Sequence, residues 1–240
     1  MDAFADDHFQ QIYVSKAAQY DALVSAEDYQ GNLLPALDAI RPLAGLEVVE
    51  FGAGTGRLTR LLAPIVKFIR AYDGSAHMLG TAAQRLGEMG LVNWTVTQAD
   101  NRTIPAEDAS ADLAIAGWTF GHSVAWYPDL WQEEIGRMLA EMQRILRPDG
   151  TMIILETLGT GRETPAPPTP GLAAYYSWLE DAQQFTMRWV RTDYQFTSVA
   201  EAEQLTRFFF GDALADRVLS EGMLILPECT GIWSRQKTLE

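Results

Sequence analysis

Residues 50–56 read Glu50-Phe51-Gly52-Ala53-Gly54-Thr55-Gly56, a carboxylate followed by glycines on alternate positions. Glycine is needed where a Cβ would block a ligand approaching the backbone, and some of these turns also require positive φ. The acid sets the charge of that ligand. A dinucleotide fingerprint spaces its glycines G-x-G-x-x-G and seats a pyrophosphate on a helix N-terminus. Here the spacing is G-x-G-x-G, and Glu50 would repel a pyrophosphate while suiting an ammonium or sulfonium group. Asp73 lies 21 residues beyond Gly52, near the ~20-residue offset at which a carboxylate accepts hydrogen bonds from ribose hydroxyls. That geometry serves any adenosine-containing ligand lacking a 2′-phosphate, NAD included. Asp100 can accept from an adenine amino group, with a neighbouring backbone N–H donating to a ring nitrogen. His122 is the leading general base, since an imidazole with a reference pKa near ~6.5 suits proton removal; a loop histidine reads equally well as plain surface. His77 and His8 rank behind it, and Asp129 and Glu156 are further carboxylates near the expected site.

These residues need a scaffold. The apolar run Glu47-Val48-Val49-Glu50-Phe51 leads into the glycines, and Leu58, Leu61 and Leu62 follow at helical spacing, which reads as strand, tight turn, helix. Further strands are predicted over 67–73, 94–99, 113–118 and 151–156, with a long amphipathic helix over 130–146 whose apolar face carries Ile135, Met138, Leu139, Met142 and Ile145. Alternating strands and helices imply a mostly parallel, doubly wound α/β sheet, whose ligands sit outside the strand carboxyl ends. Residues 1–42 read as an N-terminal helical cover, with Phe9, Ile12, Tyr13, Tyr20 and Leu23 recurring at helical spacing. Residues 43–156 form the core of one domain spanning 1–240. The proline- and glycine-rich stretch that opens 157–185 marks that segment as a lid or substrate-facing insertion, and 186–240 supplies a helix and the last two strands.

The stretch Glu50–Gly56 resembles the glycine-rich signature of class I S-adenosylmethionine-dependent methyltransferases, acid included. Other phrases extend the resemblance across 47–156. Asp73-Gly74-Ser75-Ala76-His77-Met78-Leu79 is similar to a D-x-S-x-x-M-L run in which the methionine packs on the adenine face. Asp100 through Leu113 follows the D-x-x-x-L-P-F-x-D-x-S-F-D register of small-molecule methyltransferases related to quinone biosynthesis enzymes. In that register Ile104 replaces Leu, and Ala106 and Ala111 replace aromatics. A third phrase, E-x-x-R-x-L-R-P-x-G, ends at Gly150, with Asp149 where glycine is usual. Lys16-Ala17-Ala18-Gln19-Tyr20-Asp21 is similar to the A-x-x-Y-D segment that such enzymes lay over the cofactor, though Tyr13 and Tyr20 read equally as packing aromatics. The resemblance implies a Rossmann-like, seven-stranded methyltransferase fold binding S-adenosylmethionine and releasing S-adenosylhomocysteine. It places Glu50, Gly52, Ala53, Gly54, Gly56, Asp73, Gly74, Met78, Asp100, Asn101, Trp118 and Tyr20 at the cofactor. Tyr13, His122, Trp126, Tyr127, Tyr175 and Tyr176 are placed at a small-molecule acceptor, though Trp126, Tyr127, Tyr175 and Tyr176 read equally as core.

Composition narrows the partners. The 240 residues carry a net charge of −14, with 32 acidic against 18 basic. Such a surface is repelled by phosphate backbones and anionic lipid, so neither nucleic acid nor membrane is expected. Lone Cys229 permits no intramolecular disulfide and no metal-ligand set, and neither a secretory leader nor a run of ~18 apolar residues stands out; a cytoplasmic, metal-independent enzyme is the expectation. Two rivals stand beside it: an NAD-dependent oxidoreductase, disfavoured by the glycine spacing, and a non-catalytic nucleoside-binding protein.

Overall fold

The computed structural model describes Phe9 and residues 11–237; His8 lies outside the described residues. A helical run over 11–15 (α1) precedes α2 (Ala17–Ser25) and α3 (Leu33–Asp38). The alternating core follows as β1 (Glu47–Phe51), α4 (Arg57–Leu62), β2 (Phe68–Asp73), α5 (Ala76–Glu88), β3 (Trp94–Gln98) and β4 (Ala111–Gly117). It continues with α6 (His122–Trp126), α7 (Trp131–Ile145) and β5 (Leu146–Thr160). The last third holds α8 (Pro170–Asp181), β6 (Thr186–Arg191), β7 (Tyr194–Gln195), α9 (Val199–Phe210), α10 (Asp212–Glu221), β8 (Ile225–Leu226) and β9 (Glu228–Gln236).

Seven strands make one sheet in the order β3-β2-β1-β4-β5-β9-β6, and β7 pairs β8 separately. Pairing is parallel from β3 to β5, while β9 runs antiparallel to both β5 and β6. Helices cover both faces, so β1 and β4 are buried on each side and their sequences are almost continuously apolar. Successive side chains point to opposite faces. Val49, Phe51, Ala114 and Ala116 therefore join the core under α7, whereas Val48, Leu113 and Ile115 join the core under α3 and α4.

Strand five is longer than the sequence predicts at both ends. Leu146 already pairs with Ala111, and the C-terminal extension pairs with β9 as far as Thr160 opposite Glu228. The tail also departs from two plain strands. Asp193 accepts from Arg191 Nε at 2.8 Å and from the Glu228 backbone N–H at 2.9 Å, and between β6 and β7 the chain leaves the main sheet.

Residues 157–185 differ most from expectation. Residues 157–160 finish β5, and α8, capped by Thr169 with Pro170 in its first turn, lies on the α7 side of the sheet rather than at the cavity. Tyr175, Tyr176 and Leu179 form its buried face. Tyr175 and Tyr176 thus belong to the core: Tyr176 stacks on Trp233 at 4.5 Å and donates to the Thr157 carbonyl at 2.8 Å. Their spacing at one helical face is the physical reason, since α8 buries there what the sequence offers as a pocket lining.

The cover comes from α1, α2 and the end of α9. Phe209 of α9 meets Phe9 and Tyr20 at 5.2 and 5.6 Å between ring centres. Asp21, fully buried, accepts from Arg60 of α4 at 3.0 Å and Arg85 of α5 at 2.8 Å, which ties α2 to the two helices beside the glycine turn. Ser75 caps α5 by accepting from the Met78 N–H, and its hydroxyl donates to the Tyr13 carbonyl at 2.8 Å.

Candidate active site

The carboxyl ends of β3, β2, β1 and β4 stand side by side and open into a cavity of about 710 Å³ under α1 and α2. Along this row come Asp100 and Asn101 after β3, Asp73 closing β2, the glycine turn after β1 and Trp118 after β4. Glu50, Gly52, Ala53, Gly54, Asp73, Gly74, Met78, Asp100, Asn101, Trp118 and Tyr20 all line the cavity, as do Tyr13, His122, Trp126 and Tyr127. Tyr175 and Tyr176 do not, for the packing reason given above. Gly56 also stands back from it. Gly56 sits at φ +81 ahead of α4, where a Cβ would press on Ala82 at 3.0 Å. Its glycine serves the strand-to-helix turn.

The glycine turn is kept bare for two different reasons. A Cβ on Gly52 would collide with Thr119 Oγ1, because the turns after β1 and β4 are packed against each other. At Gly54, φ is +55 and a Cβ would find only Met78 Cε at 3.7 Å and Tyr20 Cε1 at 3.8 Å, both cavity walls. Any side chain there points into ligand space. The Gly54 N–H donates to Asp73 Oδ2 at 2.8 Å, and the Ser75 N–H donates to Asp73 Oδ1 at 2.7 Å. Each oxygen keeps a further lone pair. Burial raises the Asp73 pKa and the two amides oppose that rise.

Glu50 is buried, and its Oε2 accepts from the Thr59 hydroxyl at 2.5 Å. Burial pushes its pKa up to about 8, Thr59 pulls against this and Asp73 adds to it. Asp100 is engaged by the Arg102 side chain and backbone, and Arg102 also reaches Glu134 at 2.6 Å; the arginine holds the Asp100 carboxyl below its ordinary range.

His122 opens α6. Its Nε2 lies 2.9 Å from the Tyr13 hydroxyl, within hydrogen-bond reach. Trp126 stacks on the imidazole at 5.1 Å, and Phe9 and Tyr13 meet it at 5.9 and 5.5 Å. Enclosure by these rings lowers the His122 pKa to about 4, against the pull of the Trp118 carbonyl. Burial raises that of Tyr13. Glu156 lies behind α6, accepting from the Gly121 N–H at 2.8 Å, with its pKa raised by burial to about 8.

Three groups at the site carry unpartnered atoms, and of these the sequence placed Asn101 here but not Thr55 or Arg57. Thr55 Oγ1, Arg57 Nη2 and Asn101 Oδ1 are buried, without hydrogen-bond partners among the described residues, and on residues that line this cavity. Buried polar atoms are seldom left unpaired. Their grouping fits a polar ligand that carries both donors and acceptors. Arg57 had a signal in its place directly after Gly56; Thr55 had one in its place between glycines.

Residues 49–154 match a family model described as a methyltransferase domain. Those residues form a methyltransferase domain. The chain is similar to an uncharacterised protein, YafE, of Escherichia coli K12, with 27% identity over 170 residues, 71% of this chain and 70% of that protein. A ubiquinone/menaquinone biosynthesis C-methyltransferase, UbiE, of Hahella chejuensis is 32% identical over 160 residues, 63% of this chain and 60% of that protein. In fold it is similar to the crystal structure of a SAM-dependent methyltransferase from Aquifex aeolicus, with a TM-score of 0.59 at 17% identity over 93% of this chain and 98% of that one. The cofactor that such a domain implies is S-adenosylmethionine. The bare turn at Gly54, the open lone pairs of Asp73 and the three unpartnered atoms fit that group. No helix among the described residues is long and apolar enough to cross a membrane.

Proposed function

We propose that the chain is a class I S-adenosylmethionine-dependent methyltransferase that acts, without a metal, on a small organic acceptor held between α1 and α6, in the cytoplasm. The observation that carries the reading is the gathering of the unpartnered Thr55, Arg57 and Asn101 atoms in one cavity with Asp73 and the glycine turn. Asp73 takes the ribose hydroxyls on its remaining lone pairs, Asn101 and Asp100 the adenine edge, and Met78 an adenine face. Glu50 serves the cationic amino-acid end. S-adenosylmethionine supplies a methyl already activated by its sulfonium, so the chain's task is alignment and exclusion of water.

The acceptor belongs with Tyr13, His122, Trp126 and Tyr127, where rings dominate the wall. Tyr13 keeps the His122 ring oriented through its 2.9 Å contact with Nε2, and a proton leaving the acceptor passes to the Tyr13 oxygen as the Tyr13 proton moves to Nε2. An imidazole with a pKa near 4 stays neutral across the physiological range. It is a weak base before transfer, yet strong enough to take the proton of a newly methylated hydroxyl, a far stronger acid.

The test is incubation with methyl-labelled S-adenosylmethionine and a metabolite extract, with and without a chelator. Label should move to a low-molecular-weight product irrespective of the chelator. His122→Ala should lower turnover on the order of 10²-fold while calorimetric affinity for S-adenosylhomocysteine is kept. Full turnover in that variant would return His122 to a packing role, and absence of any labelled product across the extract would leave the chain a cofactor-binding protein.

A further inference from the structure

Arg57 carries a binding feature that the motifs do not assign. It is the first residue of α4, its Nη1 lies 2.6 Å from Glu27 Oε2, and its Cζ lies 3.7 Å from the ring centre of Trp118. Salt bridge and ring together fix the guanidinium plane. Nη2 is left shielded from solvent with no hydrogen-bond partner among the described residues. Trp118 is itself held at φ +50, a left-handed backbone costly for a bulky residue. Its N–H, donating to the Leu155 carbonyl at 2.7 Å, keeps it there. Such strain persists where surrounding structure imposes it, often at ligand sites.

Charge supplies the rest of the argument. The ionised or ionisable acids on the cavity wall are Glu50, Asp73 and Asp100, and the cations are Arg57 and Arg102. Arg102 is spent on Asp100 and Glu134. The strand order β3-β2-β1-β4 places Asn101, Asp73, the glycine turn and Trp118 in a row. A ligand whose sugar lies at Asp73 and base at Asn101 has its amino-acid end toward the turn and Trp118. That end is a zwitterion, and a carboxylate entering beside Glu50 and Asp73 needs a positive, directional donor. We propose that Arg57, through Nη2, is the receptor for the α-carboxylate of the cofactor.

The proposal rests on the reading of this cavity as the cofactor site, and the test separates the two. S-adenosylhomocysteine and its decarboxylated counterpart are titrated by calorimetry into the wild type, Arg57→Gln and Arg57→Lys. The wild type should prefer the carboxylated ligand by about 10- to 100-fold, the scale of a charge-assisted hydrogen bond. Arg57→Gln should lose that preference to within about threefold while binding the decarboxylated ligand as the wild type does. Arg57→Lys should keep part of the preference. A ratio of two ligands on one protein is insensitive to a general loss of folding. Equal affinity of the wild type for both ligands, or an unchanged preference in Arg57→Gln, overturns the assignment while leaving the cofactor site standing. Failure of the wild type to bind either ligand removes the site reading as well.

Discussion

Glu50 is where the sequence and the physics of burial meet at a single residue. A carboxylate at the end of a buried strand, with one hydroxyl donor and a second acid nearby, has its pKa raised from 4.5 to about 8. The folded form therefore binds a proton more tightly than the unfolded chain does, and stability contributed below about pH 4.5 is lost progressively as pH rises toward 8. A cationic ligand group reverses the balance by favouring the charged carboxylate. Cofactor binding should thus release a proton, and affinity should rise with pH up to about 8. Glu50→Gln should remove both trends: its melting temperature should exceed the wild type's at pH 8 and above, and its cofactor affinity should be lower and flatter with pH. Calorimetry in buffers of different ionisation enthalpy reads the proton, and the difference between the two proteins cancels the ligand's own titration. Equal proton release in both would take Glu50 out of the site.

At the scale of elements, the cavity is roofed by pieces from both ends of the chain. α1 and α2 lie over the glycine turn, pinned by Asp21 to α4 and α5 and by Tyr13 to Ser75, and Phe209 of α9 supports them from the far end of the sequence. The aromatic helix α8 instead faces the core. Its tyrosines lie under β5 and β9, so they act on stability rather than on the ligand. Tyr176→Phe should cost about 0.5–1.5 kcal/mol, one buried hydrogen bond, in chemical denaturation, and leave turnover and ligand affinities unchanged. A change in acceptor KM without a change in stability would restore Tyr176 to the pocket.

For the whole molecule, the parallel half of the sheet was legible because each strand, turn and helix carries its own periodicity and its own glycine, acid or cap. Glu50, Asp73, Ser75 and the alternate glycines signal locally, and their meeting at one sheet edge follows from the doubly wound topology. The contacts that cross the chain had no such signal. The Tyr13–His122 bond spans 109 positions, and the Arg57–Glu27 pair joins α4 to a loop before α3. The aromatic residues of 172–179 do not say in sequence which surface they meet. Among the described residues, α9 and α10 with β7 and β8 form a small apolar cluster around Leu205, Val218 and Leu226 that Leu23 of α2 joins, a packing unit that no motif announces. If one ligand lies along the ends of β3, β2, β1 and β4 beneath α1 and α2, its binding must quiet the backbone there. Hydrogen exchange with and without S-adenosylhomocysteine measures this directly. Amides of residues 51–57, 73–75, 100–102 and 118–123, together with 11–20, should slow on binding, while those of β6 and α10 should not change. Protection absent from the glycine turn and from Asp73, or confined to the β6 edge, would contradict it.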